Sequence, residues 1–200
     1  MSPPDRALVE ALRRAGLDDV DDSGLARALY SSDASLYRVL PRAVVRPRHP
    51  DEILATLETC RTLGVPLTAR GAGTSIAGNA VGSGVVLDTS RYLSRVVAVD
   101  VEARTATVEP GVVQAALQKV VQPHGLRFGP DPSTHNRCTV GGMIGNNACG
   151  SRALGYGRTS DNVVGLDVVT GGGVRLRLDG AETADPGGLL DDLGRLVGGH

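Results

Sequence analysis

The stretch Ala69-Arg70-Gly71-Ala72-Gly73-Thr74-Ser75-Ile76-Ala77-Gly78-Asn79 constrains the fold of this chain more than any other segment. It follows Val65-Pro66-Leu67-Thr68, an apolar run that reads as the end of a strand. Glycines at 71, 73 and 78 permit backbone angles that other residues avoid and bring main-chain N–H groups into the open. With the hydroxyls of Thr74 and Ser75 added, such a loop can wrap a diphosphate without a lysine. Two commoner phosphate loops are excluded. A Walker loop needs Gly-Lys-Ser/Thr, and the only lysine is the distant Lys119; the dinucleotide fingerprint needs a third glycine where Ile76 stands. Taken alone, the loop is equally a phosphate cradle or a glycine-rich connection with no ligand.

A second glycine-rich region breaks the tie. It runs Gly129-Pro130-Asp131-Pro132-Ser133-Thr134, then Cys138-Thr139-Val140-Gly141-Gly142-Met143-Ile144-Gly145-Asn146-Asn147-Ala148-Cys149-Gly150-Ser151. Gly155-Tyr156-Gly157 and Asp161 to Val169 follow. Two donor-rich loops well separated along the chain suit a long ligand held at several points. Together these segments resemble the flavin-binding domain of the vanillyl-alcohol oxidase/PCMH-type FAD family. The nearest branch is that of the D-lactate, glycolate and D-2-hydroxyglutarate dehydrogenases, and the form GGMIGNNACG is most similar to members fused to an iron–sulfur module. Several ordered motifs in one chain, spanning roughly residues 40–178, are far more specific than one.

The resemblance implies an α+β fold: a two-lobed PCMH-type domain over residues 40–200, with a small lobe at about 40–92 and a larger one at about 93–200, preceded by a short helical arm over 1–39. It implies non-covalent FAD, because Thr74 stands where some relatives carry a flavin-linked histidine. Arg70, Gly71, Ala72, Gly73, Thr74 and Ser75 would wrap the diphosphate, with Gly78 and Asn79 completing the turn. Pro130, Asp131, Ser133 and Thr134 would lie along the flavin and ribityl side. Thr139, Gly141, Gly142, Gly145 and Asn146 would form the second wrapping segment, followed by Ala148 and Gly150, and Val169 would meet the adenine end. The implied substrate is a small 2-hydroxy acid; the electron acceptor is left open.

In the resembled family the substrate-binding and proton-abstracting groups lie in a later cap domain, and a Gly-Ser-Glu-Gly-type segment closes the flavin domain. Neither is found here, so the expectation is an N-terminal part of a larger flavoprotein, or a truncated gene product, without turnover of its own and with no catalytic residue assigned. The rival reading is a non-catalytic remnant that binds nucleotide weakly or only packs against a partner. Within the family, a flavin reductase acting on UDP-N-acetylenolpyruvylglucosamine is a further rival. The Pro-Asp-Pro-Ser-Thr and Gly-Gly-Met-Ile-Gly-Asn-Asn segments favour the hydroxy-acid branch over it.

Composition narrows the rest. The formal charge of −1 leaves no basic field for nucleic acid, and one phenylalanine, four tyrosines and no tryptophan make no base-stacking platform. No apolar run reaches transmembrane length, and Met1 to Leu12 is no signal peptide, since it carries Asp5, Arg6 and Glu10. Cys60, Cys138 and Cys149 show neither CxxC spacing nor a disulfide framework, so a reducing cytoplasm is the default and no metal site is expected. Cys149 reads either as a redox thiol or, preferably, as a small side chain filling a tight site. His135 either faces the flavin or, preferably, is solvated; His49 and His124 read as helix-boundary residues. Asp21-Asp22 and Asp191-Asp192 read as solvated faces.

Periodicity predicts helices over 5–15 and 24–30 and strands at Val44-Val45, Val65–Ala69 and Val85–Leu87. A helix opens at Pro50-Asp51-Glu52, carries Ile53, Leu54, Leu57 and Cys60 on its apolar side and ends at Gly64. Hairpins are expected at 96–99 with 105–108 and at 163–169 with 174–178. A helix over 112–122 presents Val113, Ala116, Leu117 and Val120; Thr139 caps a short helix over 140–147. Leu189, Leu190, Leu193 and Leu196 suggest a last amphipathic helix. The 70–79 and 139–150 loops are expected to face one cleft.

Overall fold

The computed structural model describes residues 5–179 and, beyond them, 188, 190 and 195. The last amphipathic helix and Asp191-Asp192 therefore lie outside the described residues, apart from Leu190. The chain divides into two compact units between Asn162 and Val163.

The first unit opens with α1 (Arg6–Arg14), capped by Asp5, whose carboxylate accepts from the Leu8 N–H. A short strand β1 (Val20–Asp21) and α2 (Gly24–Leu29), capped by Ser23, follow. Then come β2 (Ala43–Val45), α3 (Pro50–Thr62), β3 (Leu67–Arg70) and β4 (Val85–Asp88). They form one sheet in the order β1-β2-β4-β3, with β2, β4 and β3 parallel and β1 antiparallel on the β2 edge. All four residues of β4 are buried, as a central parallel strand requires, whereas β3 is the edge. Helix α3 ends in a Schellman cap. Val65 N–H reaches Cys60 O at 2.8 Å, Gly64 N–H reaches Arg61 O at 3.2 Å, and Gly64 takes φ +62°.

The apolar side expected for α3 needs correction. Its fully buried row is Glu52, Thr56 and Cys60, while Ile53 and Ala55 only flank the core. Burial is tolerated because both polar side chains are satisfied. The Glu52 carboxylate accepts from the Arg48 N–H at 2.7 Å, and the Thr56 hydroxyl donates to Glu52 O at 2.6 Å. Leu8, Leu12, Val45, Val85 and Leu87 pack with Cys60 in one core, so the helical arm and β1 share the core of the parallel sheet.

A second core lies further along the same unit. The hairpin β5 (Val96–Asp100) and β6 (Thr105–Val108), bulged between Val96 and Ala98, packs on α4 (Gln114–Val121). Val112, Leu117, Val121 and Val140 fill it, with Phe128 and Ile144 against them. The helix is shorter than expected and turned: its buried row is Gln114, Leu117 and Val121, and Val120 is exposed. The phase is set before the helix begins. Val113 is extended and bridges Thr139, and Gln114 N–H donates to Cys138 O at 3.1 Å. Helix α5 (Val140–Gly145) follows its predicted Thr139 cap, and α6 (Ala153–Tyr156) is followed by a single 3-10 turn over Ser160–Asn162.

The second unit contains the hairpin β7 (Leu166–Val169) and β8 (Arg175–Leu178), turning through Gly171–Gly173 as the sequence predicts, with Gly173 at φ +84°.

Candidate functional site

The first glycine-rich loop leaves the carboxyl end of edge strand β3, the place where open α/β sheets receive ligands. Among the described residues, none of the main-chain N–H groups of Gly71, Ala72, Gly73, Thr74, Ser75 or Ile76 donates to a protein acceptor. Six successive unspent donors on exposed or half-buried backbone form a surface that an anion satisfies. Gly73 takes φ +67° and Gly78 φ +81°, conformations that cost a side chain dearly. Cβ atoms there would also strike the Arg70 guanidinium and the Tyr37 ring.

The charge beside these donors is already committed. Arg70 Nη1 donates to Ser32 O at 3.0 Å and to Ala80 O at 2.9 Å, and the guanidinium lies 5.1 Å from the Tyr30 ring centroid. The loop thus offers anions hydrogen-bond donors, while its arginine braces the entry and exit of the loop. Tyr30 in turn donates to Asp88 Oδ2 at 2.5 Å at the end of β4. Burial and that bond push its phenol above the usual range.

The second loop meets the first. Asn79 Nδ2 donates to Asn146 Oδ1 at 2.9 Å. A Cβ on Gly71 would run into the buried Thr139 side chain, whose hydroxyl accepts from Gly142 N–H at 3.3 Å. The expected juxtaposition of the two loops is therefore observed through these contacts. Unlike the first loop, the second spends its backbone internally. Gly141 N–H reaches Pro110 O at 2.8 Å, Met143 reaches Thr139 O at 2.8 Å and Ala148 reaches Met143 O at 2.8 Å. Gly141 packs on Pro110 and Gly150 on the Asp131 main chain, both too tightly for a Cβ. Gly145 faces open space.

The Pro130–Thr134 segment is held from behind. Gln114, 2 % exposed, donates Nε2 to Pro130 O at 3.0 Å; its Oε1 is buried without a partner among the described residues. Asp131 faces Arg152 at 3.3 Å and Arg127 at 3.9 Å, so its carboxylate already has cationic neighbours. Thr134 O accepts from Arg137 and Cys138 N–H groups, and Ser133 is exposed. Val169 lies on β7 in the second unit.

Cys149 is exposed, which corrects the preferred reading of a thiol filling a tight site. Cys60 and Cys138 are buried, and burial pushes both thiols up, Cys60 to about 11, so neither is a nucleophile at neutral pH. His135 is exposed, as preferred, and His49 occupies the N-cap position of α3. Asp21 is less solvated than expected: it accepts from Ser23 N–H at 3.0 Å and lies 3.7 Å from Arg46. Among the described residues no cluster of His, Cys, Asp and Glu could hold a metal, and no helix is long and apolar enough to cross a membrane. Sequence reading missed the segment Tyr30–Tyr37 and Gln114. The available signals were two of the four tyrosines beside a Ser-Ser-Asp turn, and a glutamine among valines and alanines.

Residues 41–179 match the family model described as an FAD binding domain. This chain belongs to that family. It is 38% identical over 193 residues to the glycolate oxidase subunit GlcD of Bacillus subtilis, covering 95% of this chain and 40% of the relative. It is 40% identical to the D-2-hydroxyglutarate dehydrogenase of Pseudomonas putida, over 84% of this chain and 17% of that protein. It is 35% identical to the D-lactate dehydrogenase of Archaeoglobus fulgidus, over 76% and 35%. Among solved structures, alkyldihydroxyacetonephosphate synthase superposes with a TM-score of 0.79 at 26% identity, over 90% of this chain and 37% of that one. The BBE-like 1 protein of Physcomitrella patens reaches 0.75 at 18% identity, over 87% and 38%, a likeness of fold alone. The chain spans less than half the length of each relative named. The fold is the α+β PCMH-type FAD domain expected from the motifs, and FAD is the family's cofactor. The unspent N–H row of residues 71–76 fits the diphosphate of that cofactor in chemistry.

Proposed function

We propose that this chain is the FAD-binding part of a flavin-dependent oxidoreductase that oxidises a small 2-hydroxy acid of the D-lactate, glycolate or D-2-hydroxyglutarate type in the cytoplasm. The observation that carries the reading is the run of six unspent main-chain donors at residues 71–76 beside the Thr139 helix cap. The names of the relatives support the substrate class. FAD, when bound, supplies the acceptor for the hydride leaving C2 of the hydroxy acid.

The residues of the chain would bind and aim. Gly71 to Ser75 would hold the diphosphate with N–H and O–H donors, and Gly78 and Asn79 would close the turn against Asn146. Arg70 would keep the loop open by bracing it to Ser32 and Ala80. Pro130, Asp131, Ser133 and Thr134 would run along the flavin, their backbone fixed by Gln114 and the Asp131–Arg152 pair. Thr139, Gly141, Gly142, Gly145, Asn146, Ala148 and Gly150 would form the second wall.

Titration of the purified chain with FAD, followed by quenching of flavin fluorescence, tests the binding reading; saturable binding is expected, and none would sink it. Dye-linked assays with D-lactate, glycolate and D-2-hydroxyglutarate test the reach of this part of the protein. Turnover no greater than that of free FAD is expected. Steady turnover would place the active site within these residues, with His135 the first to test.

A further inference from the structure

Residues 30–40, between α2 and β2, precede the matched family domain and touch the first loop repeatedly. Ser32 O receives Arg70 Nη1 at 3.0 Å. Asp33 Oδ2 receives the Ala80 N–H at 3.3 Å, and Ala34 N–H donates to Gly73 O at 3.1 Å. The Tyr37 ring packs under Gly78, where it would block a Cβ. The segment is itself closed. Val39 N–H returns to Ser31 O at 2.8 Å, Ser32 bridges Arg38, and Asp33 Oδ1 accepts from Ser35 N–H at 2.9 Å.

These contacts share one geometric consequence. They engage a carbonyl of the loop (Gly73), its exit (Ala80) and one face of its last turn (Gly78), and leave the N–H groups of 71–76 unspent. A glycine-rich loop without such anchors samples many conformations and loses that freedom when it binds. We infer that residues 32–37 are positioning residues for the first loop: they hold it with its donors outward and thereby set how tightly it takes a diphosphate. The inference rests on the proposed reading of that loop as the diphosphate cradle. Partial burial raises the Asp33 carboxyl, and the Ser35 and Ala80 hydrogen bonds with the Arg70 charge more than offset it, so the group is anionic at neutral pH and a strong acceptor.

The test compares the full chain with Asp33→Ala, Tyr37→Ala and Tyr37→Phe. FAD and, separately, ADP are titrated, and amide hydrogen exchange is read in the ligand-free proteins. Asp33→Ala and Tyr37→Ala should each weaken both ligands about ten-fold and speed exchange at the Ala34 and Ala80 amides, whose hydrogen bonds tie the segment to the loop, with β2 and β4 unchanged. Tyr37→Phe keeps the ring and should match the parent chain. Tyr37 is 62% exposed, so its loss leaves the cores intact even if Asp33→Ala proves poorly folded. Unchanged affinity or unchanged exchange in the Asp33→Ala and Tyr37→Ala chains, with the parent binding normally, overturns this inference alone. A parent chain that takes neither FAD nor ADP overturns the functional reading and this inference with it.

Discussion

The two glycine-rich loops look alike in sequence and use glycine for opposite purposes. In the 70–79 loop, glycine mainly sets backbone direction, the close approach of Gly71 to Thr139 apart: Gly73 and Gly78 take positive φ, and the neighbouring N–H groups have no acceptor among the described residues. In the 139–150 loop, glycine mainly admits close approach: Gly141 lies on Pro110, Gly150 lies on Asp131, and the backbone donors are largely spent within the protein. One motif class thus yields a donor surface in one place and a tightly packed wall in the other. The difference lies in the neighbours, because an N–H is available only where no carbonyl has been folded against it.

This contrast breaks most directly at Gly73. Gly73→Val would put a β-branched side chain at φ +67° and drive out the Arg70 guanidinium, releasing Ser32 and Ala80. FAD affinity should fall by roughly a hundred-fold or more, since each 1.4 kcal/mol is ten-fold. Fluorescence titration measures the loss, and circular dichroism should show the secondary structure retained. Intact binding would make the loop a mere connector.

Gly141→Ala probes the packing use of glycine. A Cβ there meets Pro110 Cβ at 2.7 Å and Pro110 O at 2.9 Å, with little room to yield. We expect about 2 kcal/mol of destabilisation in denaturant unfolding, the usual cost of overpacking. A stability equal to the parent's would show that the second loop is as pliable as the first.

Tyr30→Phe sharpens the picture beneath the first loop by removing the hydroxyl on Asp88. About 1.5–3 kcal/mol should be lost near neutral pH, the worth of one hydrogen bond to a charged group. The folded phenol titrates above its unfolded value, so its stabilisation is complete below about pH 10 and is lost as pH rises through the folded pKa. The parent should therefore lose stability on that alkaline limb, and the phenylalanine chain should lose less. Parallel alkaline curves would remove Tyr30 from the account.

Gly145→Ala is the mildest test. Nothing lies within 4 Å of the added methyl, so stability should hold or rise by up to about 1 kcal/mol. If the open face of α5 is a cofactor wall, FAD affinity should drop several-fold at unchanged stability. Unaltered affinity would confine the site to the first loop and its Thr139 neighbour.

The local elements were legible because their signals are local. Pro50 and Gly64 bound α3, Thr139 caps α5, and Gly171–Gly173 turn the last hairpin, each through the conformation of one or two residues. The motifs gave the family, the α+β architecture and the cofactor. The buried rows of α3 and α4 were not legible. Glu52, Thr56 and Gln114 are polar, and burial suits them only because Arg48 N–H, Glu52 O and Pro130 O stand where they do. Nor could the sequence separate the two loops' roles or connect Tyr30–Tyr37 to Arg70 and Gly73. Those pairings join residues far apart in the chain, and whether a donor is spent or free depends on which acceptor the folded chain brings to it. The amino-acid order therefore determined the family and its cofactor, and tertiary structure decided which of the described backbone donors are spent within the protein and which are not.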